Sequence, residues 1–163
     1  MVAMDVLCDI LTNFRGYTVT SRSPVELNGE DVPSISGLNR AGDVFYVFQV
    51  KSLLKNMCNA MIESVTCAQL IIVTEKSSIL CLNCIHDVFL KVEIIPTYHL
   101  AYNILRHHTV PKYEIMEGGN HETLQLSVRG PVSMMLGLEP GMIVKETSSC
   151  PITGERVVFR RVT

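Results

Sequence analysis

The run from residue 130 to 163, GPVSMMLGLEPGMIVKETSSCPITGERVVFRRVT, is so closely punctuated by proline and glycine that few arrangements accommodate it. Pro131 suits the first turn of a helix, where its missing N–H and fixed φ are tolerated. Gly137 stands where a residue with positive φ would end that helix after one or two turns. Glu139-Pro140-Gly141 reads as a turn, with proline pre-set and glycine permissive. Residues 142–145 read as a short strand and Pro151 to Gly154 as a second turn. Residues 155–162 read as a longer, partly alternating strand that closes on Arg160 and Arg161.

This order of helix, tight turn, strand, turn and strand resembles the C-terminal signature of the fifth common subunit of eukaryotic-type DNA-dependent RNA polymerases, a family with archaeal members. The family pattern runs Asp-Pro-Val, a short helix, a small turn ending in Gly, and an apolar strand ending in Lys. A Ser/Thr-rich turn with Gly and a strand closing on Tyr-Arg-x-Val follow. Pro131-Val132, Gly137, Gly141, Val144-Lys145, Thr153-Gly154 and Phe159-Arg160-Arg161-Val162 fall in the matching places without gaps. Upstream, His107-His108-Thr109-Val110-Pro111-Lys112 is similar to the family's His-x-x-Val-Pro-Lys loop. The chain departs from the family between these motifs, where an acidic amphipathic helix is usual. Glu117-Gly118-Gly119-Asn120-His121 and a strand-like piece over 123–128 stand there instead, and paired glycines disfavour a helix. Gly130 replaces an acidic helix cap, Met134 and Met135 replace an Arg and an aromatic, and Glu139-Pro140 replaces a basic pair. These are the marks of a divergent member, cellular or encoded by a large DNA virus.

Ahead of that region, Ala3, Val6, Leu7, Ile10, Leu11 and Phe14 share one helical stripe, ended by Arg15-Gly16. Residues 17–20 are β-prone, and 21–31 are polar and loop-like. Residues 32–36 and 43–50 suit a hairpin around 37–42. Residues 52–63 carry apolar side chains at helical spacing, and Leu70-Ile71-Ile72-Val73 is a short apolar run of the buried-strand kind. Ser78 would cap a helix through Ile79, Leu82, Ile85 and Val88, with another strand over 92–95 and a short helical connection over 98–103. Strand, helix, strand, helix, strand argues for parallel βαβ units. The expectation is an α/β fold, α+β overall. Residues 1–97 would form an α/β domain with a mixed sheet and residues 98–163 a small β-rich domain.

The chain carries 14 Lys+Arg against 16 Asp+Glu, which gives no general attraction to nucleic acid. No apolar run reaches the roughly 20 residues that span a bilayer, and the N-terminus does not read as a signal peptide. Six cysteines in a well-filled apolar sequence point to a reducing, intracellular setting.

Several constellations invite a chemical reading. Cys81-Leu82-Asn83-Cys84 has metal-ligand spacing, but Cys58, Cys67 and His86 lie at irregular offsets and no second CxxC completes a four-ligand zinc site. Asp31 followed by Gln49-Val50-Lys51 echoes restriction-type nucleases, in which an acid on one strand and acid-x-Lys on the next hold Mg²⁺. Gln49 is not a carboxylate, so one charged ligand is missing. His107-His108 has no third ligand at useful spacing, and neighbouring imidazoles on a strand point to opposite faces. The methionines, Met134-Met135 and Met116 with Met142, suit core filling or a docking face. Glu75-Lys76-Ser77-Ser78 follows the apolar strand and would open a helix, where backbone N–H groups favour phosphate oxygens.

The family resemblance implies a non-catalytic subunit of a multisubunit DNA-directed RNA polymerase active in transcription. Its N-terminal part would be a nuclease-like jaw domain and its C-terminal part an assembly domain docked on the largest subunit. Together they would build the lower jaw near downstream DNA. His107, Val110, Pro111, Lys112, Pro131, Val132, Gly137, Gly141, Lys145, Gly154, Arg160 and Val162 would carry assembly, and Lys76, Ser77 and Ser78 would lie near DNA. The implied partners are the largest and other polymerase subunits and DNA within the complex, with no membrane, no metal and no cofactor. The implied location is the nucleus if cellular, and the host cytoplasm or virion if viral. A small Mg²⁺-dependent nuclease and a free-standing interaction module are the two alternatives.

Overall fold

Ala3, Leu7, Ile10 and Leu11 form one apolar stripe, and helix α1 (Val2–Asn13) buries all four together with Met4. The helix ends at Gly16, whose φ of 68° a residue with a Cβ adopts only at a cost. The structure is a computed structural model and describes residues 2–77, 85, 87–116, 123–150 and 152–163. The chain divides into two compact units, Met1–Tyr102 and Asn103–Thr163.

The first unit holds a five-stranded sheet in the order β1 (Thr18–Ser21), β4 (Ser34–Leu38), β5 (Val44–Leu53), β6 (Gln69–Ser77), β7 (Lys91–Pro96). β4 runs antiparallel to β1 and β5, whereas β5, β6 and β7 are parallel. Helix α2 (Lys55–Ser64) makes the crossover from β5 to β6. Leu70, Ile71, Ile72 and Val73 of β6 are all fully buried, as expected of a central strand covered on both faces. Leu53, Phe48, Cys58 and Met61 pack into the same core. The fold is therefore α/β with a mixed sheet. The short helical connection is a 3-10 turn, Thr97–Leu100, that packs on α1 and buries Leu100, which keeps it in the first unit.

Two local expectations are corrected. The stretch over 21–31 is not all loop, because β2 (Val25–Leu27) and β3 (Glu30–Val32) form a separate two-stranded hairpin. Asn28 and Gly29, at φ 53° and 79°, supply the two left-handed residues that a two-residue hairpin loop demands. The strand over the apolar run continues to Ser77, so Glu75-Lys76-Ser77 is not a helix-opening loop. Parallel pairing with β5 holds it extended: Lys76 lies opposite Ser52 and Ser77 opposite Leu53. Ser78 and most of the helix expected after it lie outside the described residues.

The second unit is a four-stranded sheet in the order β8 (Lys112–Met116), β10 (Ile143–Cys150), β11 (Gly154–Val162), β9 (Leu124–Leu126). Helix α3 (Pro131–Leu136) starts on Pro131 and ends on Gly137 at φ 66°, as the sequence predicts. Gly141, at φ 93°, then turns the chain into β10. Leu138, Val144 and Val162 form the buried core, with Tyr113, Leu126, Leu136 and Met142 packed against it. β10 is longer than expected because its polar half, Glu146 to Cys150, pairs residue for residue with β11.

Candidate assembly interface

Two sequence motifs separated along the chain meet in the second unit. The loop of residues 107–111 feeds Lys112 into β8, where it lies opposite Thr147 of β10. The loop is braced internally: Val110 N–H donates to the His107 carbonyl at 3.0 Å, and His107 Nδ1 lies 2.8 Å from Thr109 Oγ1. The His107 and His108 rings stack with centroids 4.6 Å apart. They do not point to opposite faces, because the backbone there is a turn and not a strand. Lys112, with His108 to Pro111, lines one wall of a cleft of about 490 Å³, and Thr147 to Ser149 and Glu155 line the other.

The remaining expected residues divide by role. Pro131, Gly137 and Gly141 shape the backbone of α3 and its exit. Ser133, fully buried, donates its hydroxyl to the Ser127 carbonyl at 2.7 Å and ties that helix to the preceding turn. Val132 is half-buried on the same helix. Gly154, at φ 76°, closes the β10–β11 turn. Val162, 1% exposed, is a core residue and offers no surface to a partner. Lys145 reaches Glu114 across the sheet at 3.1 Å. Arg160 pairs with Glu146 through its Nε, and its Nη1 donates to the Gln125 carbonyl at 3.4 Å. That hydrogen bond to Glu146 raises the Arg160 pKa above its ordinary value. Burial, and then the Glu146 carboxylate, push the Tyr113 phenol up as well.

In the first unit, the nuclease-like pairing of Asp31 with Gln49 does not form. Asp31 sits in the separate hairpin, exposed and opposite Glu26. Gln49 donates its backbone N–H to the Pro33 carbonyl at 3.1 Å, so the neighbours it meets are Pro33 and Ser34. A pocket of about 290 Å³ opens there, with Asp5, Arg22, Ser34 and Gln49 in its wall. Asp5 is the one carboxylate among those lining residues, and it is paired with Arg22. The Ser34 hydroxyl donates to the Ser23 carbonyl at 2.5 Å. An engaged carboxylate, a hydroxyl and an amide are a poor set for Mg²⁺, which takes carboxylate oxygens. Lys51 is exposed.

Cys81 and Cys84 lie outside the described residues, as do residues 117–121. Among the described residues no group of three or more His, Cys, Asp or Glu side chains is placed to hold a metal ion. No helix among them is long and apolar enough to cross a membrane.

Sequence reasoning missed one polar network. Arg15 reaches Glu93 at 2.7 Å, Gln69 donates to Glu93 at 2.6 Å, and Tyr17 donates to Gln69 at 3.0 Å. Gln69 and Arg15 are buried, and the Arg15 guanidinium also lies 5.9 Å from the Tyr17 ring centroid. The Arg15-Gly16-Tyr17 helix end gave no hint of it, since the partners come from distant strands.

No family model matches the chain, and no curated protein matches it. Among solved structures it is similar to EndoMS in its apo form, at 13% identity and a TM-score of 0.39. That match covers 59% of this chain and 46% of that one, so the chain spans less than half of that protein's length.

Proposed function

We propose that this chain is a non-catalytic subunit of a multisubunit DNA-directed RNA polymerase, in which its second unit docks on the largest subunit. The observation that carries the reading is the pairing of Lys112 with Thr147. It brings the His107–Lys112 loop and the motif over residues 130–163 into one sheet, although each was recognised separately in the sequence. The backbone demands of that motif are also met, since Gly137, Gly141 and Gly154 all hold positive φ. In this reading the first unit lies toward downstream DNA, and the polymerase's own large subunits supply the catalytic metal. The nuclease alternative is disfavoured by the wall of the Gln49 pocket, where the one carboxylate is already bound to an arginine.

The test is recovery of the tagged full-length chain from cells in which it is native, followed by mass spectrometry. Both large polymerase subunits should co-purify in near-stoichiometric amounts. Recovery free of any polymerase subunit would end the proposal and leave a free-standing interaction module as the better account.

A further inference from the structure

The β10–β11 hairpin outruns the sheet it belongs to. β8 accompanies β10 only as far as Thr147, and β9 accompanies β11 only over Arg160–Val162. The hairpin itself continues to the pair Cys150 and Gly154. Ser148, Ser149 and Cys150 therefore have β11 on one side and, among the described residues, no strand on the other.

The ladder fixes which backbone groups face that bare side. Val162 N–H donates to the Met142 carbonyl and the Val162 carbonyl accepts from Gly141 N–H, each at 2.9 Å, so Gly141 and Met142 oppose Val162 as a β-bulge and the Met142 carbonyl faces β11. Antiparallel pairs alternate between bonded and non-bonded, so the even-numbered residues of β10 bond to β11. Ile143, Lys145 and Thr147 turn their backbone groups the other way, to β8. Ser149 is next in that series, and no described strand stands opposite it. Its N–H and C=O point toward the 490 Å³ cleft, whose far wall is the loop through Val110 and Pro111. Lys112 on β8 and Glu155 on β11, opposite Ser149, both line the cleft, and neither has an ion-pair partner among the described residues.

We propose that this cleft receives an extended segment of a partner protein. Its backbone bridges to Ser149 as an added strand, with an acidic side chain on Lys112 and a basic one on Glu155. Unpaired strand edges are the standard template for such addition, and main-chain hydrogen bonds give it affinity while the flanking side chains give it selectivity. For the partner's identity the inference rests on the polymerase reading; for the mode of binding it rests on the strand edge alone.

A displayed library of random short peptides, panned on the immobilised full-length chain, tests the mode. Enriched peptides should carry an acid and a base a few residues apart. They should bind Ser149→Ala like the wild type and Ser149→Pro at least about tenfold more weakly, because proline removes the edge N–H. Lys112→Glu should lose the peptides selected for an acid. Circular dichroism shows whether Ser149→Pro is folded. Where it is not, amide exchange at Ser149 in the wild type decides, and a selected peptide should slow it. No enrichment over a blank surface, equal binding to a folded Ser149→Pro, or unchanged exchange at Ser149 would overturn the inference. Co-purification with polymerase subunits is read separately, so the two ideas fail by different results.

Discussion

Arg15 and Glu93 meet at 2.7 Å with side chains only 2% and 15% exposed. The pair ties the end of α1 to the edge strand β7, beside the 3-10 turn Thr97–Leu100 that also packs on α1. Removing one partner of a buried ion pair costs about 3–5 kcal/mol, an upper bound here because Lys91 Nζ still stands 3.4 Å from the Glu93 carboxylate. Arg15→Ala should therefore lower stability by up to that much in chemical denaturation. Arg15→Met with Glu93→Leu removes both charges and should recover much of the loss. If the double variant is as unstable as the single one, packing and not charge explains the site.

Gly37 tests a different term. A Cβ added there would lie 2.0 Å from the Thr18 carbonyl oxygen and 3.0 Å from the Phe45 ring. At Gly42 a Cβ would meet nothing within 4 Å, but φ is 90°. Gly37→Ala must displace backbone on β1 and should destabilise by about 1–3 kcal/mol, the usual cost of overpacking. Gly42→Ala should cost about 1 kcal/mol, from conformation alone. Thermal unfolding of the two variants side by side checks the order, and the reverse order would show that β1 moves freely away from β4.

Features fixed by neighbouring residues were legible in the sequence. The α1 stripe, the run Leu70 to Val73 and the glycines at 137 and 141 each state a local demand that the fold then meets. Asn28-Gly29 was equally legible as a hairpin signal, but the polar residues around it masked two very short strands. The extension of β6 to Lys76 and Ser77 was not legible, because it depends on pairing with Ser52 and Leu53 and not on propensity. The same is true of Asp31: its place beside Gln49 rested on the hairpin expected over 32–36 and 43–50, whereas Asp31 pairs with Glu26 in a separate one. Of the expected interface, the shape-setting glycines were visible. The cleft at Ser149 was not, because it arises where β8 stops short of the hairpin.

Cys150 and Cys67 should differ sharply in reactivity. Hydrogen bonds from the Thr153 side chain, and then from the Thr153 and Ile152 backbones, lower the Cys150 thiol from 9.0 to about 7. Burial raises the Cys67 thiol to about 11. Alkylation followed by peptide mass spectrometry should show Cys150 reacting with a midpoint near 7 and Cys67 inert at that pH. Thr153→Val should move the Cys150 midpoint upward. A folded-state pKa below the unfolded one stabilises fully above the unfolded value of 9.0 and is lost as pH falls through about 7. The stability difference between wild type and Thr153→Val should therefore be larger in alkali than below neutrality. A difference independent of pH would remove the thiolate from the account.

The second unit should carry assembly alone, because its core is its own. Val144 and Val162 are buried together with Leu138, and β11 lies between β10 and β9 as an interior strand. Its final residues therefore bond within the sheet: Thr163 N–H donates to Leu126 and Val128 N–H to Thr163, each at 2.9 Å. Truncation after Gly154 removes that strand, strips both neighbours of their partner and should abolish folding as well as docking. Gly137→Ala is milder, at roughly 1 kcal/mol or more for a Cβ at positive φ, and should weaken docking without abolishing it. Residues 98–163, which contain the whole unit Asn103–Thr163, should bind the largest polymerase subunit in a pull-down, and residues 1–97 should not. Binding by the N-terminal fragment equal to that of the full chain, with none by a folded C-terminal fragment, would reverse the division of roles between the two units.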